Sequence, residues 1–169
     1  MAFVRALCFV LLVGFAAACQ PDCSSKCPPK CPPMWTLYNG NCYRYFGTGT
    51  TYDEAESHCQ EFTEVGQGHL ASIASAEENN LLLTMWKSVR TTTTGGLWIG
   101  LNDQAEEGKY IWTDGSAVTF TDWASTQPDN SQNAEDCAHM RHELDGDDRW
   151  NDIGCSRAFA YMCKMSTTN

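Results

Sequence analysis

The pattern of hydrophobic and polar residues changes from helical to extended near the middle of the chain. In the first half, two segments carry apolar residues at spacings of three and four, which is typical of amphipathic helices. Each segment opens with a capping-box pattern, in which a Ser or Thr is followed three residues later by Glu. Two helices with one buried face each are therefore predicted. Their apolar positions are Tyr52, Ala55, Cys59 and Phe62 in the first helix, and Leu82, Met85, Trp86 and Val89 in the second.

The other apolar runs predict short β-strands. An aromatic-rich stretch at 34–46 surrounds the turn dipeptide Asn39-Gly40 and predicts a β-hairpin. After a turn-rich break at 91–96, residues 97–101 form a nearly continuous apolar run, which is typical of a strand buried on both faces. Helices early in the chain and strands late in it indicate an α+β domain. Further strands are expected at 66–73, 110–112, 138–141, around Trp150 and at 158–163.

The first 18 residues have the pattern of a secretory signal peptide. Arg5 precedes an uncharged apolar run that ends in the small residues Ala16-Ala17-Ala18. The run is shorter than the roughly 20 residues that a membrane-spanning helix needs. We therefore expect cleavage after Ala18 and a secreted, extracellular protein without a membrane span. Lipid modification of Cys19 is the alternative.

The chain is acidic, with 11 Lys and Arg residues, 21 Asp and Glu residues and a net charge of −10. Nucleic acids and anionic membranes attract basic surfaces, so neither is an expected partner. The acidity fits a protein that holds calcium or faces a mineral surface.

Residues 19–30 form a Cys- and Pro-rich N-terminal arm with few side chains that could fill a core. Cys8 is lost with the signal peptide, which leaves nine cysteines in a compartment where disulfides persist. An odd number of cysteines in a secreted chain indicates intermolecular pairing or a free thiol. Interchain disulfides at Cys19, Cys23 and Cys27 would make a disulfide-linked homo-oligomer. A local bridge within the arm plus one capped thiol is the alternative.

Oxygen donors are concentrated between residues 127 and 152, where eight acids accompany only two bases. Calcium takes roughly six to eight oxygen ligands from carboxylates, carboxamides and carbonyls. Without a cation, carboxylates packed so closely would repel one another and raise each other's pKa values. A solvated acidic loop is the ordinary alternative, but it does not explain Pro128 between two potential ligands or the flanking Cys137 and Cys155. We therefore predict a calcium site here.

Taken together, these segments resemble the C-type lectin domain family over roughly residues 31–165. The matching motifs are Trp98-Ile99-Gly100-Leu101, Gln127-Pro128-Asp129 and Trp150-Asn151-Asp152, with four cysteines in the family order. The resemblance implies a C-type lectin-like α+β fold for 31–169, with two helices, short antiparallel sheets and a long calcium-binding loop. It also implies the disulfides Cys31–Cys42, Cys59–Cys163 and Cys137–Cys155.

The same resemblance implies two calcium sites. In sugar-binding members, the principal site uses the outer residues of Gln-Pro-Asp, a Glu before the next cysteine, and the Asn-Asp after Trp. The matching residues are Gln127, Asp129, Glu135, Asn151 and Asp152. An accessory site would take Asp103, Glu107, Asn130 and Asp136 together with Glu135. The resemblance also implies a cis bond before Pro128, the kind of peptide bond in which cis costs little.

The implied function is calcium-dependent binding of a sugar through two neighbouring hydroxyls. Gln127, Asp129, Glu135 and Asn151 would also bond those hydroxyls, because carboxylates accept hydrogen bonds and carboxamides donate them. Family members with Gln-Pro-Asp tend to prefer galactose or N-acetylgalactosamine, so terminal galactose-type glycans are the expected partners.

One position departs from the pattern of galactose binders, which often carry an aromatic residue shortly after Gln-Pro-Asp. This chain has Ser131 and Gln132 there. His142 could substitute for the aromatic residue, but a solvated loop histidine is the alternative interpretation.

An enzyme is not expected, because the sequence contains no nucleophile–base arrangement and no phosphate-binding motif. The alternative function is a structural or protein-binding domain that associates with matrix or mineral, or an ice-binding variant of the fold. The complete set of five expected calcium ligands favours a lectin.

Overall fold

A computed structural model describes residues 30–90, 95–142 and 147–167. The helices are α1 (Tyr52–Cys59) and α2 (Ala76–Val89), and a 3₁₀ turn spans Ser131–Asn133. The strands are β1 (Thr36–Tyr38), β2 (Asn41–Thr50), β3 (Gly68–Leu70), β4 (Gly95–Asn102), β5 (Ile111–Trp112), β6 (Cys137–His142), β7 (Trp150–Ile153) and β8 (Phe159–Ser166). The expected signal peptide and the cysteines of the N-terminal arm lie outside the described residues.

The predicted α+β fold is present, with the expected short strands joined into one eight-stranded sheet that includes one parallel pair. The order along the main path is β1-β2-β8-β4-β6-β7, with β3 paired to β8 and β5 paired to β4. β4 and β8 run parallel, whereas the other pairs are antiparallel. Because β8 inserts between β2 and β4, strands from both ends of the domain share one sheet. Local hydrophobic patterns do not reveal such an insertion.

Side-chain caps determine where both helices begin. Thr51 and Glu54 form the predicted capping box of α1. Ser75 caps α2 by accepting a hydrogen bond from the Glu78 N–H at 3.3 Å. The second predicted capping box is incomplete, however, because the Glu78 carboxylate accepts from the Ala74 N–H and pairs with Lys164, both at 2.7 Å. Glu78 therefore serves the interior of the domain as well as the start of α2.

The predicted helical stripes are correct except at their ends. α1 ends at Cys59, before Phe62. In α2, Leu82 and Trp86 are buried, whereas Val89 is 49% exposed at the last residue of the helix. A helix that ends at the rim of a domain exposes its last turn even where the apolar spacing continues.

The predicted break at 91–96 extends too far, because β4 already begins at Gly95. Gly96 is a packing position: a Cβ atom built there would lie 2.6 Å from side-chain atoms of both His139 and Phe159. The glycine permits a close approach of two rings over the strand, and no turn is formed at this residue.

The core and its cross-links agree with expectation. Leu97, Trp98, Ile99 and Leu101 are fully buried, as is Trp150. The structure contains the three implied disulfides, Cys31–Cys42, Cys59–Cys163 and Cys137–Cys155. Neither of the helices in the described part of the chain has the length and hydropathy needed to cross a bilayer.

Candidate metal centre

The loop before β6 is anchored to the start of β7. The peptide bond between Gln127 and Pro128 is cis, as predicted. The Ala124 N–H donates to the Trp150 carbonyl at 2.8 Å, and the Gln127 N–H donates to the Ala124 carbonyl at 3.0 Å. These bonds hold the Gln-Pro-Asp motif against the strand that carries the expected ligands Asn151 and Asp152.

Asp152 is the buried centre of the site, with a side chain that is 0% exposed. Its Oδ1 accepts a hydrogen bond from the Asp129 N–H at 3.1 Å, and its Oδ2 accepts one from the Asn130 N–H at 2.7 Å. The Tyr110 hydroxyl donates to Oδ2 at 3.5 Å. One carboxylate thus joins the loop, β7 and the residue before β5.

Three carboxylates converge at this point. Oxygen atoms of Asp129, Glu135 and Asp152 all lie within 4.8 Å of one another. Asp129 is exposed and Glu135 is half-buried, so the cluster opens to solvent on one side. Burial raises the pKa of Glu135, and the negative charges of Asp152 and Asp129 raise it further. A bound cation would remove this repulsion and favour the ionised form.

The two expected carboxamide ligands complete a set of oxygen donors suited to calcium. Gln127 Oε1 is buried and has no hydrogen-bond partner in the described part of the chain. Asn151 uses its amide nitrogen to contact His139 Nε2 at 3.2 Å and the Asp152 carbonyl. Its carbonyl oxygen therefore remains available to a cation. Hard cations prefer carboxylate and carboxamide oxygens of this kind, so the residues present fit calcium.

The expected accessory residues are less well assembled. The Asp103 N–H donates to the Asp136 carbonyl at 3.0 Å. Burial raises the pKa of the Asp103 carboxyl, whose Oδ1 has no hydrogen-bond partner among residues 30–90, 95–142 and 147–167. Asn130 Oδ1 accepts from the Glu135 N–H at 3.2 Å, and Glu107 is exposed. A second cation would thus compete with a backbone bond at Asn130.

The structure revises the role of one histidine and adds another to the site. His142 is the last residue of β6 and its Nδ1 lies within hydrogen-bond distance of the Asp148 carboxylate, so it is not a solvated loop histidine. His139, which the sequence did not single out, is 5% exposed and bonded to Asn151. The register between β6 and β7 places His139 directly opposite Asn151. Pairing the predicted strand at 138–141 with the one around Trp150, with residues 143–149 as the connection between them, could have identified this contact.

Known proteins share both the sequence and the fold. A family model described as the lectin C-type domain matches residues 48–165. The chain is 93% identical over 169 residues, covering 100% of both chains, to the alpha-N-acetylgalactosamine-specific lectin of Patiria pectinifera. It is 38% identical over 140 residues to echinoidin of Heliocidaris crassispina, covering 78% of this chain and 94% of echinoidin.

A solved structure extends the likeness to three dimensions. The C-type lectin CEL-I from Cucumaria echinata matches with a TM-score of 0.76 and 39% identity, over 82% of this chain and 99% of CEL-I. With the family match over most of the domain, these likenesses show that the chain belongs to the C-type lectin domain family. The mixed sheet, the two helices and the three disulfides are thus a C-type lectin fold.

Proposed function

We propose that this protein is a secreted lectin that binds terminal N-acetylgalactosamine or galactose together with calcium, without catalysing a reaction. The ion would be held by the expected principal ligands: Gln127, Asp129, Glu135, Asn151 and Asp152. The observation that supports this most directly is the convergence of three carboxylates within 4.8 Å, next to a loop whose Gln127 Oε1 is buried without a partner.

The side chains of this site have a second task besides holding the ion. When bound, calcium would supply coordination places for two neighbouring sugar hydroxyls. Asp129 and Glu135 are acceptors for the hydroxyl protons, while Gln127 and Asn151 carry amide N–H donors. The order of donors and acceptors around the site then selects the hydroxyl geometry of the sugar.

The choice of N-acetylgalactosamine rests on the Gln-Pro-Asp motif and on the name of the Patiria pectinifera lectin, which is 93% identical. Ser131 and Gln132 are exposed on the 3₁₀ turn and provide no aromatic face for the sugar. Selectivity for the sugar must therefore involve contacts other than stacking on an aromatic residue of this turn.

Two further parts of the proposal concern the accessory site and the assembly. Asp103, Glu107, Asn130 and Asp136 would hold a second, weaker calcium ion. After removal of residues 1–18, Cys19, Cys23 and Cys27 in the arm at 19–30 would link copies of the domain at 31–169. Linking weak sugar sites in this way raises avidity by about 10²–10⁴.

The test is calorimetry on the intact, oxidised protein, titrated first with calcium and then with N-acetylgalactosamine. We expect calcium uptake, calcium-dependent sugar binding, and elution of the protein from N-acetylgalactosamine–agarose by EDTA. The matched control is the double variant Gln127→Glu/Asp129→Asn, which keeps the number of oxygen ligands but exchanges donor and acceptor. It should still bind calcium while losing N-acetylgalactosamine. Absence of calcium uptake by the unmodified protein would overturn the proposal.

A further inference from the structure

Two concave surfaces continue from Asn151 away from the carboxylate cluster. The nearer one has a volume of about 240 Å³ and is lined by Asn151, His139, Gly95 and Phe159, among others. The farther one has a volume of about 480 Å³ and shares Gly95 and Phe159 with the first. The shared residues make the two surfaces continuous. We call them together the extension groove, and its principal residues are Asn151, His139, Gly95, Phe159, Tyr45 and Gly47.

The extension groove crosses the sheet obliquely to the strands, because His139 lies opposite Trp98 and the groove passes Gly95, three residues along β4. It begins at Asn151 on β7 and passes His139 on β6, Gly95 on β4 and Phe159 on β8 before it reaches Gly47 on β2. Neighbouring strands are about 4.8 Å apart, so the path from β7 to β8 is at least about 15 Å long. A sugar ring is about as wide as one strand spacing. The groove therefore has room for two or three sugar units beyond the one at the metal centre.

Glycines form the floor of the groove at the places where neighbouring groups approach most closely. β2 bulges between Phe46 and Thr50, and Gly47 and Gly49 lie in this bulge. Gly96 on β4 has no space for a Cβ atom under the rings of His139 and Phe159. Larger residues at these places would fill the groove or displace its walls.

The walls present aromatic surface. Phe159 is half-buried and stacks on His139, with ring centroids 4.8 Å apart and planes 27° apart. Tyr45 lines the farther end. His139 Nδ1 is buried beside Gly96 and is not accessible from the groove, so His139 contributes by supporting the ring of Phe159. Aromatic faces stack on the apolar C–H faces of sugars.

The charges beside the groove favour a neutral ligand over an acidic one. Arg141 and Arg90 line the groove, but Arg141 is paired with Asp147 and Arg90 lies 3.6 Å from Asp148, so carboxylates of this chain already offset both positive charges. A peptide is also disfavoured, because the groove crosses the inner strands β4 and β8, whose backbone groups are paired within the sheet. Peptides that bind sheets gain their affinity mainly from unpaired edge-strand groups.

We propose that the extension groove binds the sugar units next to the terminal one, so that the natural ligand is a neutral oligosaccharide of at least three units. This inference rests on the proposed sugar site at Asp129, Glu135 and Asp152. It assigns recognition of the inner sugars to Phe159 and Tyr45, which lie outside the calcium-ligand set. It also offers a source of selectivity for a site whose 3₁₀ turn lacks an aromatic residue.

The test compares N-acetylgalactosamine with linear, neutral tri- and tetrasaccharides that end in it, by calorimetry with calcium. In the unmodified protein, the trisaccharide should bind about tenfold more tightly than the monosaccharide. Ala158 is exposed and lines the groove, so Ala158→Trp should block it and reduce this ratio to about one. Affinity for the monosaccharide should stay unchanged. The matched control is Ala117→Trp, at an exposed residue outside the groove.

A second blocking variant, Ala158→Arg, should give the same loss of the length effect if Ala158→Trp does not fold. A ratio of one in the unmodified protein, or an undiminished ratio in the blocked variants, would overturn the proposal. So would a gain seen only with N-acetylgalactosamine attached to a peptide. If the monosaccharide itself fails to bind, the proposed function fails too; if it binds but added sugars bring no gain, only the groove assignment fails.

Discussion

The side-chain amide nitrogen of Asn151 lies 3.2 Å from Nε2 of His139, across the antiparallel pair of β6 and β7. Burial lowers the pKa of His139 to about 4, so its imidazole is neutral at pH 7. A neutral imidazole can accept a hydrogen bond at Nε2, which orients the amide nitrogen of Asn151 inwards. An expected calcium ligand is therefore positioned by a side chain from the neighbouring strand.

Acidification should destabilise the fold through His139. Because its folded-state pKa lies below the ordinary value of 6.5, the folded protein binds fewer protons than the unfolded chain between pH 6.5 and pH 4. The contribution of His139 to the free energy of unfolding is fully present above pH 6.5. It falls by about 3 kcal/mol as the pH is lowered to 4. Urea unfolding in EDTA at several pH values measures it. His139→Gln should remove this part of the slope, and an identical slope in both proteins would contradict the assignment.

Asp152→Asn should lower calcium affinity by more than tenfold and loosen the loop before β6. The Asp152 carboxylate is buried and accepts two backbone N–H groups, and the neutral amide keeps the shape but loses the charge. Hydrogen bonds to charged groups contribute about 1.5–3 kcal/mol, so the free energy of unfolding should fall by a similar amount. Calorimetry and urea unfolding provide the two readings.

The control for this change is Asp53→Asn, at an exposed residue near the start of α1. Its contact with Gln104 needs only an acceptor oxygen, which asparagine keeps. Equal calcium affinity in Asp152→Asn and the unmodified protein would remove Asp152 from the ligand set.

As the pH is lowered, calcium affinity should begin to fall at a higher pH than it would if Glu135 had the pKa of an ordinary glutamate. Burial, together with Asp152 and Asp129, raises the pKa of Glu135 above its ordinary value of 4.5, and the ligand must be ionised to hold the metal. For the stability of the calcium-free protein, the effect of pH has the opposite sign. A raised carboxyl pKa makes the folded state more stable as the pH falls into the window just above 4.5. Calcium titrations between pH 7 and pH 4.5 measure the first effect. A pH-independent affinity over this range would contradict it.

Removal of the Cys137–Cys155 disulfide should impair the metal centre more than removal of Cys31–Cys42. The first bridge closes an 18-residue separation between the start of β6 and the segment after β7, and so encloses the strand that carries Asn151. The double Ser variant should lose about 3 kcal/mol of stability and most of its calcium affinity. The corresponding variant of Cys31–Cys42 is the matched control and should retain calcium binding. Thermal unfolding and calcium calorimetry distinguish the two.

Much of this molecule follows from local sequence. Helix caps such as Thr51 and turn dipeptides such as Asn39-Gly40 act over a few residues, so their outcome is visible in the chain itself. The oxygen-rich residues at 127–136 and 151–152 are likewise identifiable, because calcium demands particular donor types and because the motifs resemble a known family. The cis bond before Pro128 likewise follows from the resemblance to that family, and proline is the residue that makes this isomer inexpensive.

The tertiary structure decided what depends on contacts between distant segments. The insertion of β8 between β2 and β4, the hydrogen bond from Asn151 to His139, and the groove across Gly95 and Phe159 all join residues far apart in the chain. Sequence alone determined which chemical groups are present and which local structures they favour. Strand order and register determined which of those groups meet, because side chains become neighbours across a sheet only once the pairing of strands is set.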